Sequence, residues 1–190
     1  FNMISVDGDT STNDMVSILA NGAAENPIIE GPGPGYTAFC QALHQVTAYL
    51  CRSIAKDGEG ATKLIECHVA GADSQDTART AAKAVICSNL FKAAMFGADA
   101  NWGRVLCALG YSGAPMDMSR VDVQFTSQAG TVAVCKDGAG IPFSEEAAKA
   151  VLSQDEIRVE IQLNSGACEA TAWGCDLTYD YVKINGDYRT

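Results

Sequence analysis

Hydrophobic residues recur along this chain with two different periods, and their order limits the folds that it can adopt. In residues 37–56, large apolar side chains return every three or four positions, which predicts an amphipathic helix. The segments RVDVQF and EIRVEIQL alternate apolar and polar residues, which predicts strands with one buried face. Because strands and helices are mixed without strict alternation, we expect an α/β (α+β) fold built as a layered sandwich.

Helix caps and chain breakers predict the remaining elements. Thr12 or Asn13 can cap a short helix that ends near residue 23, and the density of Pro and Gly makes residues 25–36 a loop. A single alanine-rich helix is predicted for residues 75–96. Two strands are predicted within residues 166–186, which would carry a strand close to the end of the sequence.

Length and charge exclude several classes of partner. A chain of 190 residues suits one ordinary domain. Its net charge is −10, from 13 basic and 23 acidic residues, and no run of four Lys or Arg occurs. Nucleic acids and anionic membranes both require a concentrated basic surface, so neither is an expected partner. No apolar stretch approaches the ~20 residues that cross a membrane.

The eight cysteines do not indicate a disulfide or metal framework. None belongs to a C-x-x-C pair and most have apolar neighbours, which is typical of reduced thiols in a cytosolic protein. Cys40, His44 and Cys51 share one stripe of the helix predicted for residues 37–56, but zinc sites normally combine four clustered Cys or His ligands. We therefore expect no bound metal.

Two short polar segments are candidates for chemistry. ISVDGDTSTND, residues 4–14, collects carboxylates and hydroxyls directly after an apolar run. Glu59 lies between two glycines in DGEG, either as part of a solvated turn that ends a helix or as an acid that meets a cationic ligand. Neither His44 nor His68 lies in a glycine-rich loop and the G-x-S-x-G motif is absent, so a complete hydrolase triad is not expected.

Four long segments together resemble one protein family. They are SVDGDTSTNDMVSILANG, KDGEGATKLIECHVAGA, GADANWGRVLCALGYSG and YVKINGDYRT. In this order they are similar to the β-chain of ornithine acetyltransferase, also called glutamate N-acetyltransferase, and the resemblance runs from Phe1 to Thr190 as the C-terminal part of such a chain. It implies one incomplete catalytic domain over residues 1–190, completed by a separate α-chain, with residues 36–113 as a helix–strand–helix lobe within it.

The resemblance also implies a self-cleaving acetyltransferase of arginine biosynthesis. The family's precursor cuts itself before a threonine, and the new N-terminal threonine carries acetyl from N-acetylornithine to glutamate, releasing ornithine. The α- and β-chains stay associated, as an α2β2 heterotetramer. No metal or diffusible cofactor is expected, although acetyl-CoA is a substrate of bifunctional members. The expected location is the cytoplasm, or the mitochondrial matrix in a eukaryote.

The same resemblance assigns substrate contacts, but no catalytic residue, to this chain. The nucleophilic threonine is expected upstream of Phe1. Glu59, Asn185 and Thr190 match the family's substrate-binding residues in the motifs DGEGATK and NGDYRT. We expect Glu59 to hold an amino group, and Asn185 and Thr190 to orient a carboxylate. For the other polar residues of the shared motifs, a structural role is favoured over a direct contact with substrate. They are Asp7, Asp9, Thr10, Asn13, Asn101 and Arg104.

Two other functions are compatible with the same motifs. Related self-cleaving peptidases would pass the acyl group to water, which would make the protein an aminopeptidase or amidase. The chain taken alone would instead be a non-catalytic binding subunit. Transfer of acetyl to glutamate distinguishes an acetyltransferase from both alternatives.

Overall fold

The structure, a computed structural model, describes residues 1–188 and contains one seven-stranded mixed sheet. The strand order is β1-β7-β2-β6-β3-β4-β5. The strands are β1 (Ile4–Ser5), β2 (Leu64–Ala72), β3 (Asp122–Ser127), β4 (Gly130–Lys136), β5 (Ala139–Gly140), β6 (Glu156–Gln162) and β7 (Cys168–Cys175). The helices are α1 (Pro34–Lys56), α2 (Gln75–Ile86), α3 (Asn89–Phe96), α4 (Trp102–Tyr111), α5 (Glu145–Leu152) and α6 (Tyr179–Asp187). The predicted layered α/β fold is confirmed.

Strand β2 occupies the interior of the sheet and joins distant parts of the chain. It runs parallel to β6 and antiparallel to β7, so both of its neighbours come from the last third of the sequence. Strand β2 belongs to residues 36–113, and this region therefore shares its sheet with the rest of the chain. Strand β1 adds to the outer edge of β7 in parallel.

The main core lies between one face of the sheet and helices α2 to α5. Ile65, Cys67 and Val69 of β2 are buried on this face, as the alternating pattern requires. They pack against a run of buried alanines in α2, which lets this helix approach the sheet closely. The strand pattern of EIRVEIQL is confirmed in the same way, because its apolar residues in β6 are buried.

The opposite face of the sheet is polar and holds the C-terminal half of α1. Glu66 of β2 forms an ion pair with Arg52 and accepts a hydrogen bond of 2.9 Å from Trp173 Nε1. Glu156 accepts from Arg52 Nη2 and Lys56 Nζ, each at 2.9 Å. The hydrogen bond and positive charge of Lys56, together with Arg52, lower the pKa of Glu156.

Three elements differ from the sequence predictions. No helix forms within residues 13–23, because the side chains around Asn13 bond locally (Asn13 N–H donates to Ser11 Oγ at 3.1 Å) and the apolar residues that follow meet no packing surface. The helix predicted for residues 75–96 is divided into α2 and α3, because Ser88 caps a new helix by accepting from Phe91 N–H at 3.3 Å.

The last predicted strand is the third error, since residues 179–187 form helix α6. Thr178 Oγ1 caps this helix by accepting from Tyr181 N–H at 3.2 Å, and Asp180 lies in its first turn, where the helix dipole favours a negative charge. The β-type pattern of its aromatic and branched residues does not decide the structure, because the cap and the first-turn charge both favour a helix. Strand β4, which was not predicted, pairs with β3 as a hairpin.

Several expected absences concern the part of the chain that the structure describes. No helix within residues 1–188 is long and apolar enough to cross a membrane. Among the same residues, no cluster of three or more His, Cys, Asp or Glu side chains is arranged to hold a metal ion. The eight cysteines, all of which lie within residues 1–188, are unpaired.

Replacing Asp176 by alanine tests how much its buried carboxylate stabilises the fold. Its side chain is 3% exposed and accepts three hydrogen bonds, from Thr62 N–H at 2.8 Å, Thr62 Oγ1 at 2.5 Å and Lys63 N–H at 3.0 Å. We expect Asp176→Ala to lower the free energy of unfolding by about 3 kcal/mol, because buried donors lose a charged acceptor. Chemical denaturation measures this change.

The matched control is Asp14→Ala. Asp14 is exposed and its carboxylate has no hydrogen bond within residues 1–188, so this change should alter the free energy of unfolding by less than about 0.5 kcal/mol. Equal effects of the two substitutions would contradict the structural role of Asp176.

Candidate functional site

Glu59 stands at the tip of a tight turn between α1 and β2, with its side chain exposed. The two flanking glycines are required by close packing. A Cβ atom on Gly58 would lie 2.8 Å from Cys175 Sγ, and one on Gly60 would lie 2.6 Å from the backbone nitrogen of Tyr181. Gly60 also has a φ of +65°, in the left-handed region that favours glycine. The turn is therefore held against β7 and α6, and the position of Glu59 is defined.

Helix α6 begins directly above this turn. Thr178 Oγ1 donates a hydrogen bond of 2.7 Å to the Gly60 carbonyl and caps α6 by accepting from Tyr181 N–H. One hydroxyl thus joins the turn that carries Glu59 to the helix that carries Asn185. The two motifs DGEG and YVKING, which are about 120 residues apart in the sequence, meet because β2 and β7 are paired in the sheet.

Asn185 and Glu59 are in direct contact. Asn185 Nδ2 donates to Glu59 Oε2 at 2.9 Å and to the Tyr181 carbonyl at 3.0 Å. The reverse amide orientation would place its oxygen against two other acceptor oxygens, so these partners define which way the amide points. Both amide N–H groups are used, and within residues 1–188 neither Asn185 Oδ1 nor Glu59 Oε1 has a hydrogen-bond partner. The pair therefore offers acceptors and no donor to a ligand.

Asp7 lies beside this pair, at the exit of β1. Its Oδ1 accepts from Asp9 N–H at 2.9 Å and its Oδ2 accepts from the Tyr181 hydroxyl at 3.1 Å. Tyr181 was not a predicted site residue. Its spacing of four residues from Asn185 would have indicated a shared helix face, had the segment been interpreted as a helix.

The resulting corner is negatively charged. Partial burial, the hydrogen bond to Asp7, and the negative charges of Asp7, Asp9 and Glu59 raise the pKa of the Tyr181 phenol. Within residues 1–188, none of these three carboxylates forms an ion pair. We call Asp7, Asp9, Glu59, Tyr181 and Asn185 the acidic corner. Its charge and its free acceptors suit an ammonium group.

The remaining residues of the shared motifs lie outside this corner. Asn101 caps α4 by accepting from Arg104 N–H at 3.2 Å, and Arg104 Nη1 donates to the Leu90 carbonyl at 2.7 Å. Thr10 and Asn13 are exposed in the segment that precedes α1. Thr190 lies outside the described residues.

The two histidines are separated from the acidic corner. His68 Nε2 lies 3.5 Å from Glu169 Oε2 on the polar face of the sheet. His44 lies on α1, beside Cys40 at the end that projects from the sheet. Within residues 1–188, neither imidazole is hydrogen-bonded to a hydroxyl or thiol, as the general base of a nucleophile would be.

Comparisons with known proteins cover the whole chain. The profile of the ArgJ family matches residues 1–190. The arginine biosynthesis bifunctional protein ArgJ 1 of Clostridium acetobutylicum is 58% identical, over all of this chain and 47% of that protein. The protein of the same name, ArgJ, from Symbiobacterium thermophilum is also 58% identical, over all of this chain and 46% of that protein. The chain therefore spans about half the length of these curated relatives.

A solved structure agrees with both the sequence and the fold. The crystal structure of arginine biosynthesis bifunctional protein ArgJ from Bacillus halodurans matches with a TM-score of 0.92 and 46% identity, covering 99% of this chain and 87% of that chain. The resemblance seen in the four sequence motifs is thereby confirmed, and the chain belongs to the ArgJ family.

Proposed function

We propose that this chain forms one wall of the substrate pocket of a glutamate N-acetyltransferase. The assembled enzyme would move acetyl from N-acetylornithine to glutamate through an acetyl-threonine ester, giving ornithine and N-acetylglutamate. The single observation that carries the proposal is the acidic corner, whose free acceptors suit the ammonium that N-acetylornithine presents. Membership of the ArgJ family, whose named relatives are bifunctional arginine-biosynthesis proteins, supports the reaction class.

The proposed nucleophile belongs to a polypeptide segment that precedes Phe1. An N-terminal threonine can use its own amine as the base that activates its hydroxyl, and the resulting ester divides acetyl transfer into two steps. Such an ester needs no redox or metal cofactor. The proposed enzyme therefore uses none, and acetyl-CoA would be an additional acetyl donor rather than a bound cofactor.

The proposed partner is the other half of an ArgJ precursor. This chain covers less than half of the curated relatives but 87% of the matching chain in the Bacillus halodurans crystal structure. That polypeptide is thus only slightly longer than this one, which supports the existence of a separate β-chain after precursor cleavage. An α2β2 assembly follows if two such α/β pairs associate.

The acidic corner supports a particular orientation of the substrate. N-acetylornithine carries its acetyl on the α-nitrogen, so its free ammonium lies at the end of the side chain. Glu59 Oε1 and Asn185 Oδ1 can both accept from that ammonium. This assignment differs from the expectation that Asn185 orients the α-carboxylate, because both N–H groups of its amide are engaged within the protein. The α-carboxylate would then require donors outside residues 1–188, and Thr190 stays the predicted contact for it in this chain.

The substitution Glu59→Gln tests this orientation. Removing the negative charge should raise KM for N-acetylornithine by about tenfold or more, because an ammonium loses its charged acceptor. The KM for glutamate, whose side chain ends in a carboxylate, should change much less. Steady-state kinetics of the assembled enzyme with each substrate varied in turn gives both values.

Glu145→Gln is the matched control, because Glu145 is an exposed glutamate on α5, which packs against β3 and β4 away from the acidic corner. It should leave both KM values unchanged. An increase in KM for glutamate equal to that for N-acetylornithine would show that Glu59 does not bind the side-chain ammonium.

The reaction itself is tested by supplying the assembled protein with N-acetylornithine and glutamate. We expect ornithine and N-acetylglutamate in equal amounts, because an acetyl-threonine passes its acetyl to the glutamate amine. Free acetate in place of N-acetylglutamate would identify a hydrolase. Mass spectrometry of the same sample should detect an associated chain and a polypeptide that begins with threonine; without them, the proposal of a non-catalytic subunit is favoured.

A further inference from the structure

Tyr181 makes three separate contacts that meet at the acidic corner. Its backbone N–H binds the Thr178 cap, its carbonyl accepts from Asn185 Nδ2 at 3.0 Å, and its hydroxyl donates to Asp7 Oδ2 at 3.1 Å. No other described residue of α6 connects the helix both to the exit of β1 and to the amide of Asn185.

Helix α6 depends on such contacts because it has no buried residue. Helices in globular proteins are normally held by an apolar face packed on the core, and most of their stability comes from that packing. In α6 the apolar side chains of Tyr179, Val182 and Ile184 are exposed. Its orientation therefore rests on the Thr178 cap, the edge contact between the rings of Tyr179 and Phe96, and the hydrogen bonds of Tyr181 and Asn185.

Asp7 is a well-anchored acceptor for the Tyr181 hydroxyl. It lies two residues after the end of β1 and is only partly exposed, and its second carboxylate oxygen closes a local turn by accepting from Asp9 N–H. Gly8 allows this turn with a φ of +96°. A tyrosine phenol is protonated at neutral pH, and partial burial and the nearby carboxylates raise the pKa of Tyr181 further, so its hydroxyl remains a donor to the carboxylate.

We propose that Tyr181 and Asp7 are positioning residues for the ammonium subsite, and that their hydrogen bond clamps α6 to the exit of β1 so that the free oxygens of Asn185 and Glu59 converge on one ligand nitrogen. This inference rests on the proposed function for the identity of the ligand. It adds a role for two residues that touch no substrate in the proposed orientation: they act through Asn185. Asp7 also contributes a second negative charge to the corner.

The substitution Tyr181→Phe removes the clamp and keeps the ring. We expect KM for N-acetylornithine to rise by about fivefold, the effect of one ordinary hydrogen bond, with kcat for acetyl transfer nearly unchanged. Asp7→Ala, which removes the acceptor, should raise the same KM. Because both changes break the same hydrogen bond, the double variant should show less than the product of the two single effects.

Tyr179→Phe is the control, since Tyr179 lies on the same helix, is 83% exposed, and its hydroxyl has no hydrogen bond within residues 1–188. Hydrogen exchange of the α6 amides in the assembled protein gives a readout that does not require catalysis. Exchange should become faster in Tyr181→Phe and stay unchanged in Tyr179→Phe.

The outcomes separate this inference from the proposed function. Unchanged exchange in Tyr181→Phe, or an unchanged KM in an enzyme that transfers acetyl, would overturn the clamp. Multiplicative effects of Tyr181→Phe and Asp7→Ala would overturn it as well. Faster exchange in Tyr181→Phe together with no acetyl transfer by the unsubstituted protein would support the clamp and overturn the acetyltransferase.

Discussion

The site depends on the hydrogen bonds that the buried carboxylate of Asp176 accepts. Asp176 lies immediately after β7 and accepts hydrogen bonds from Thr62 and Lys63, the two residues that precede β2. The turn that carries Glu59 is therefore attached to the point where the chain leaves the sheet toward α6. A charged acceptor with three short-range donors is strongly favoured in a buried position, and leaving those donors unpaired would be costly.

Two buried lysines, Lys63 and Lys92, lie next to this connection. Lys63 is buried and donates to the Met95 carbonyl at 2.6 Å; burial lowers the pKa of Lys63, while the charge of Asp176 opposes that shift. Lys92 is 2% exposed, and its Nζ lies 3.9 Å from Cys175 Sγ, the atom against which Gly58 packs. A buried polar layer thus ties α3 to the ends of β2 and β7 next to the acidic corner. A site with few ligand contacts would depend on such support.

The acidic corner also explains how a turn and an unburied helix can form a defined site. Glu59 alone would be a solvated carboxylate, and its energetic value for a ligand would be small in water. The amide of Asn185 holds one of its oxygens and leaves the other without a hydrogen-bond partner among residues 1–188, so a bound ammonium would meet an oriented acceptor. Because both N–H groups of the Asn185 amide are engaged internally, the Glu59–Asn185 pair within residues 1–188 presents acceptors, which would suit an ammonium better than a carboxylate.

Some elements of this structure could be predicted from local sequence, and others could not. The alternation of β6 and the helical period of α1 were predicted correctly, because each pattern is several residues long. The alternation of β6 also identifies its buried face, whereas the apolar stripe of α1 is exposed: Phe39, Leu43, Val46, Leu50 and Ile54. The break at Ser88 and the helical state of residues 179–187 were missed. In both places one capping hydroxyl outweighs the apolar pattern, and a cap is a single-residue signal that many Ser and Thr residues imitate. The helix expected before residue 23 failed because its apolar residues find no packing surface among the described residues.

The sequence by itself determined the family, the glycines around Glu59, and the pairing of Glu59 with Asn185 as candidates, since motifs carry residue identity whatever their geometry. Only the tertiary structure decided how these residues act together. The pairing of β2 with β7 brings the DGEG and YVKING motifs to the same end of these two strands. The hydrogen bonds of Asn185 determine that it offers an oxygen rather than an N–H. The role of Tyr181 follows only from the helical structure of α6. Its contact with Asp7, which is distant in the sequence, depends on strand register and helix direction, and no local pattern encodes these.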